Sequence, residues 1–251
     1  MKTVFYSIAS FALALLIWHI AAVSSNYGSA LFPTPWDVAK GFREILLDGT
    51  LSAGIGSSLY RFAVGYLISI SSGVALGLLI GNVNILFRLL NPVVQMIRPI
   101  APVAWMPFIV LLIGIGDAPA IVIIFLAGFF PVLLTTARAV HTVDDVYLKV
   151  ARNYGIGRLK TVFQIILPAI FPQIANSLHI ALGTSWIFLV SGEMVGTQSG
   201  LGYMIIDARN NLRTDILLAT MLVIGIIGFL LDLLISRFEK KVLNVWGAKE
   251  R

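Results

Sequence analysis

Residues Val140–Gln173 read VHTVDDVYLKVARNYGIGRLKTVFQIILPAIFPQ. With Arg138 just ahead of it, this stretch carries Arg138, Lys149, Arg152, Arg158 and Lys160 between two long apolar segments. A polar island flanked by oily runs separates solvent-facing from membrane-spanning chain, and the fold follows from that division. Inside the island, Val143, Val146, Tyr147, Val150, Ala151 and Tyr154 recur at helical i, i+3, i+4, i+7 spacing, with Asp144, Asp145, Lys149, Arg152 and Asn153 opposite. Gly155 and Gly157 end that helix, and a second one is expected over Arg158–Leu167, before Pro168 and Pro172. Two short helices joined at a glycine turn and anchored by a span at each end form a rigid knuckle, suited to passing force into a membrane. An ordinary solvated loop satisfies the same periodicity.

The rest of the chain is 58% hydrophobic and 12% charged, with a mean hydropathy of +0.93. That excludes a soluble domain and predicts an all-α polytopic membrane protein, because a spanning helix needs ~20 apolar residues and several such runs are visible. The runs are continuous rather than alternating, which excludes a transmembrane barrel. There is no cysteine, so disulfides, thiolate zinc sites and thiol catalysis are out, and no metal site is expected. The net charge of +6 reads as membrane topology, not as a nucleic-acid patch.

Outward from the island, six spans are expected at about 4–23, 55–80, 87–116, 119–136, 174–195 and 216–236, with a connecting loop over 138–172, all in one membrane domain covering 1–251. The N-terminal run lacks a clear small-residue cleavage site and is read as a retained helix. Ser24–Pro35 is a loop, and Trp36–Leu47 a short amphipathic interfacial helix with Val38, Phe42, Ile45 and Leu46 on one face. In the second span Arg61, Gly65, Ser69, Gly73, Gly77 and Gly81 recur every four residues, a ladder that lets another helix approach closely. The third span holds Pro92, Pro99, Pro102 and Pro107, which predicts kinks or breaks.

Orientation follows from the cations. With the N-terminus in the cytoplasm, Lys2, Arg88, Arg138, Lys149, Arg152, Arg158, Lys160, Arg237, Lys240, Lys241, Lys249 and Arg251 fall inside, against Lys40, Arg43, Arg209 and Arg213 outside. That asymmetry places both termini and the polar island in the cytoplasm of a multi-pass cell-membrane protein.

Candidate path residues lie on two spans. Arg98 and Trp105 belong to the proline-rich one. Arg98 either faces a cavity or partner, since a charge at mid-bilayer costs about 2.5–3.5 kcal/mol, or snorkels to the interface. On the fifth span Asn176, His179, Gly183, Trp186, Val190 and Glu193 share one side. Such a polar stripe faces either packed protein or water, and Glu193 is placed to pair with Arg61 or Arg98. Arg98 beside Pro99 and Pro102 would favour anions.

Ala151, Gly155, Ile165, Leu167 and Pro168 match the pattern EAA-x3-G-x9-I-x-LP, with Lys149 and Val150 where the Glu and first Ala would stand. This resembles the EAA motif of ATP-binding-cassette importer permeases. IRPIAPVAWMPFIVLLIGIGDAPAIVIIFLAGFFPVLLTT and SGLGYMIIDAR look similar to the permeases for nitrate, bicarbonate, taurine and aliphatic sulfonates. The resemblance implies a type I importer permease with six transmembrane helices and a cytoplasmic coupling helix. Asp144, Asp145, Tyr147, Lys149, Val150, Ala151, Arg152, Tyr154 and Gly155 would then seat in a partner ATPase. It also implies a permease homodimer, two ATPase subunits and an extracytoplasmic substrate-binding protein that delivers a small solute, expected to be an anion. A vitamin-precursor importer is the variant reading. The chain has no Gly-x4-Gly-Lys-Ser/Thr loop, so it is expected to bind no cofactor and to catalyse nothing itself, with ATP and Mg on the partner ATPase. The alternative from another class is a channel or secondary transporter, which would need intramembrane relays and paired repeats that are not evident. Co-purification with an ATPase separates the two.

Overall fold

The computed structural model describes residues 2–25, 28 and 30–245, and every described element is helical. Asn26, Tyr27 and Ser29 of the first loop, and Lys249 and Arg251 among the orienting cations, lie outside the described residues. Backbone packing divides the chain into two compact units, Met1–Ser58 with Gln198–Ile226 and Leu59–Thr197 with Ile227–Arg251. Two long helices, α3 (Thr50–Asn82) and α11 (Thr214–Val245), run from one unit into the other.

The first unit contains α1 (Lys2–Ser24), α2 (Pro35–Leu47) and α10 (Leu201–Asn210) with the first turns of α3 and α11. α2 begins where Thr34 and Asp37 cap each other, Pro35 sitting at a position where its missing N–H costs nothing. Its inward face is Val38, Gly41 and Ile45, whereas Phe42 and Leu46, expected beside them, point outward. Gly41 is needed because a Cβ there would stand 2.9 Å from the Asp215 carboxylate. α10 packs on the start of α3. The Leu201 N–H donates to the buried Ser58 Oγ at 2.8 Å, and Gly54 makes room for the Met204 side chain.

The second unit is built on α3, α6 (Asp117–Val140) and α9 (Leu167–Gly196). The small-residue ladder does what close packing in lipid requires. Gly65 lies against Ile124, Gly73 against Val132, Gly77 against Thr136 and Gly81 against Val140, while Gly128 of α6 lies against Ser69. Each step of four on α3 meets a step of four in the same direction on α6, so the two helices are parallel. Parallel neighbours cross a bilayer in the same sense, so the chain between them must cross back once. That return is the broken pair α4 (Asn84–Ile97) and α5 (Met106–Ile113, preceded by a 3₁₀ turn Pro102–Trp105), bent by 83° at the prolines. α9 runs antiparallel to α6. The Ser185 hydroxyl donates to Ile124 O at 3.1 Å near the middle, and the Gly116 N–H donates to Gly196 O at 2.9 Å at one end.

Among the described residues four helices are long and apolar enough to cross a membrane, and the bent pair makes a fifth. The 23-residue α1 is the remaining expected crossing. The expected second island helix, Arg158–Leu167, is not separate. A turn of α-helix (α8, Arg158–Thr161) enters a π-turn over Val162–Ile166 and continues into α9, giving one helix of 39 residues. Pro168 fails to break it because it sits in the first turn of α9. The wide π-turn before it, closed by the Leu167 N–H donating to Val162 O, leaves space for the pyrrolidine ring.

Candidate functional site

The polar island folds into α7 (Asp145–Asn153) and the entry to α9. Asp144 caps α7 through its carboxylate, which accepts the Val146 N–H at 2.9 Å. The helix ends in a Schellman turn, in which the Ile156 N–H donates to Ala151 O at 2.9 Å and the Gly155 N–H to Arg152 O at 3.0 Å. Gly155 takes φ +67, the left-handed region, with nothing near the position a Cβ would occupy. Its requirement is therefore a backbone one. The motif alanine, Ala151, is 1% exposed. Val143 and Leu148 pack with Leu78, Ala139, Val140 and Ile166 beneath it.

The apolar residues of α7 thus divide. Ala151, Leu148 and Val143 face the protein. Val146, Tyr147, Val150 and Tyr154 are exposed, Tyr154 by 81%, and Asp144, Asp145, Lys149 and Arg152 are exposed around them. A nine-residue helix rigidly capped at both ends, with four apolar side chains held in solvent, has the form of a docking knob. Sequence periodicity had grouped inward Ala151 with the outward residues. The signal that separates them is Leu148, which extends the inward face.

The second site is a buried charge cluster at the far end of the ladder. Arg61 is 2% exposed and donates from Nη1 to Glu193 Oε1 at 2.6 Å and from Nε to Asp117 Oδ1 at 2.7 Å. Glu193 is fully buried, and Asp117 is 55% exposed. The cluster ties α3, α6 and α9 together, and the charge-assisted bonds satisfy a guanidinium that would otherwise be stranded in an apolar setting. The pairing of Glu193 expected from sequence is thus with Arg61. Asp117 was missed. It opens α6 after a turn in which Gly114 and Gly116 take φ of 81 and 148, and an acidic residue behind such glycines was the available signal.

The other expected path residues are dispersed. Arg98 caps α4 at the apex of the bend and is exposed, and Trp105 lies half-buried in the 3₁₀ turn after it. On α9, Asn176 and Gly183 are exposed, but Trp186 is buried edge-on to Phe62 and against Gly228. His179 is half-buried, its Nε2 3.1 Å from Ser236 Oγ and its Nδ1 3.3 Å from Glu239 Oε2 on α11. The stripe on α9 is therefore partly packing and partly free surface.

In the first unit, Arg213 grips Glu44 with both Nη atoms, at 3.1 and 2.7 Å, and reaches Asp215 at 3.0 Å. The guanidinium draws the Glu44 carboxyl below its ordinary range, and the two carboxylates raise the Arg213 pKa. Leu212, just before it, is the one non-glycine with positive φ among the described residues. A cavity of about 460 Å³ opens beside this cluster, lined by Asp48, Ser57, Gln198, Asp207, Asn211 and other residues of the unit.

Parallel and antiparallel helices around a small-residue ladder, with a capped exposed helix between two crossings, define a polytopic membrane protein. The chain belongs to the family of binding-protein-dependent transport system inner membrane components, whose model matches residues 73–244. It is 31% identical over 250 residues to the taurine transport system permease protein TauC of Escherichia coli (strain K12), covering 98% of this chain and 90% of that protein. It is 32% identical over 239 residues to the nitrate import permease protein NrtB of Leptolyngbya laminosa, covering 93% and 86%. Its fold matches the MetNI methionine ABC transporter in an inward-facing conformation, with a TM-score of 0.66 at 19% identity over 77% of this chain and 96% of that one. The protein is a membrane-embedded permease subunit of an ATP-binding-cassette importer, with an ATPase and a substrate-binding protein as its partners.

Proposed function

We propose that two copies of this chain form the path of an importer for a small oxyanion of the nitrate, sulfonate, taurine or bicarbonate type, with α7 as the coupling helix. The observation that carries this reading is the exposed stripe Val146, Tyr147, Val150 and Tyr154 on a helix locked by Asp144, Ala151 and Gly155. Each copy seats that stripe in one of two ATPase subunits, and Asp145, Lys149 and Arg152 rim the contact. ATP and Mg are held on the ATPase. The relatives named for taurine and nitrate support the substrate class.

The excess of cations on the side of α7 supports cytoplasmic termini. Along the path we assign anion preference to Arg98, exposed at the bend of α4 and α5, with Trp105, the exposed Asn176 and the half-buried His179 of α9 lining it. Trp186 and Glu193 hold the wall from behind.

The test is reconstitution with its partner ATPase and binding protein. Tyr147→Ser together with Val150→Ser should leave membrane insertion unchanged and abolish ATPase co-purification and uptake. Retained co-purification refutes the coupling role. Arg98→Gln at normal uptake refutes the assignment of Arg98.

A further inference from the structure

The two carboxylates on Arg61 are unlike each other. Glu193 Oε1 accepts from Nη1 at 2.6 Å and is fully buried, a fixed wall. Asp117 Oδ1 accepts from Nε at 2.7 Å, yet more than half of its side chain is in the open. Asp117 opens α6 directly after Gly116, whose N–H is bonded to Gly196 O, so its backbone is placed while its carboxylate reaches the surface. Gly114 and Gly116, both at positive φ, have nothing within 4 Å of where a Cβ would stand. A buried cation with one buried and one half-exposed anionic partner is the arrangement expected where a second anion exchanges in and out.

We propose that Arg61 is an anion-binding station of the translocation path, and that the Asp117 carboxylate is a built-in placeholder which an incoming oxyanion displaces. The inference rests on the reading of the substrate as an anion. A carboxylate, a nitrate, a bicarbonate and a sulfonate each offer a pair of oxygens on one central atom that can face the edge of a guanidinium, so one can take the place of another. Glu193 alone balances the charge of Arg61, so release of Asp117 leaves a neutral buried pair, and an incoming anion takes up the Nε donor that Asp117 vacates. Glu193 stays in place and holds the guanidinium in register.

A purely structural ion pair predicts that loss of Asp117 weakens the fold. A placeholder predicts that its loss strengthens ligand binding, because a competitor has gone. The experiment uses the permease–ATPase complex in lipid nanodiscs without its binding protein. Equilibrium binding of labelled nitrate, bicarbonate, taurine and methanesulfonate is measured, and uptake of the same four is measured in proteoliposomes with the binding protein present. Asp117→Asn should bind the transported anion about tenfold more tightly than the unaltered protein, and Asp117→Glu should restore the original affinity. The paired change Arg61→Gln with Glu193→Gln, which leaves no buried charge, should weaken binding by about tenfold or more. Unchanged or weaker affinity in Asp117→Asn overturns the proposal, and that variant decides alone if the paired change fails to assemble. Uptake of an anion with unchanged affinity in Asp117→Asn removes only the Arg61 assignment. Uptake of none of the four removes the anion reading and this proposal with it.

Discussion

Gly77 and Thr136 meet so closely that a Cβ on the glycine would stand 2.6 Å from the Thr136 Cβ. The contact is one rung from the end of the α3–α6 ladder, and a Cβ there would also stand 2.9 Å from the Leu133 carbonyl oxygen, so the backbone itself is in the way. Gly77→Val should therefore destabilise the permease by about 1–3 kcal/mol or block its assembly. Thermal unfolding of the purified complex in detergent checks this.

Thr136 itself is fully buried, and its Oγ1 has no hydrogen-bond partner. Replacing a stranded hydroxyl by a methyl of the same shape removes a desolvation penalty. Thr136→Val should be neutral or stabilising by up to about 1 kcal/mol in the same assay, the opposite sign from its neighbour across the interface.

Two glycines three positions apart or less are often treated alike, but Gly155 and Gly157 differ. Gly155 is at φ +67, and Gly157 at −63, where any residue is at ease. Gly155→Ala should cost about 1 kcal/mol, loosen the end of α7 and reduce ATPase co-purification, whereas Gly157→Ala should behave as the unaltered protein. Pull-down yields of the two variants, side by side, settle the comparison.

The Arg61–Glu193 bond predicts strong non-additivity. Arg61→Leu alone strands a buried carboxylate and should cost about 3–5 kcal/mol, while adding Glu193→Leu should recover most of that loss. Unfolding midpoints of the two single variants and the double variant measure the coupling. Equal losses that simply add would contradict the geometry.

The grip of Arg213 on Glu44 carries a pH signature. Because the Glu44 carboxyl is held below its ordinary value of 4.5, its contribution is complete above that value and is lost as pH falls through the lowered one. Acidification should thus release α2 from the turn before α11, read as faster hydrogen exchange across 35–47. In Glu44→Gln that segment should already exchange faster at neutral pH, with the acid-dependent step reduced.

The α3–α6 core was legible from the chain alone because Gly65 to Gly81 repeat at one period, and a fixed period survives without knowledge of the partner. The bend at Arg98 was legible for a similar reason, since proline carries its constraint in its own ring. Asp117 was hidden: its partner is 56 residues away, and it belongs to a turn without periodicity. The continuity of the helix through Pro168 was hidden as well. A π-turn is a tertiary accommodation, and nothing in VFQII distinguishes it from ordinary helix. The orientation of α7 fell between these cases, because both of its faces carry apolar side chains and only the packed structure shows which one is spoken for.

The uninterrupted helix from Arg158 to Gly196 has a mechanical consequence. At about 1.5 Å per residue, the distance from its first turn to Glu193 is on the order of 50 Å, so one stiff lever joins the knob region to the arginine cluster at the opposite end. A tilt imposed at the short arm is delivered as displacement at the long one. The π-turn at Val162–Ile166 is the compliant point near the fulcrum. Its tightening to regular α-helix would rotate everything beyond it, Glu193 included, by a fraction of a turn.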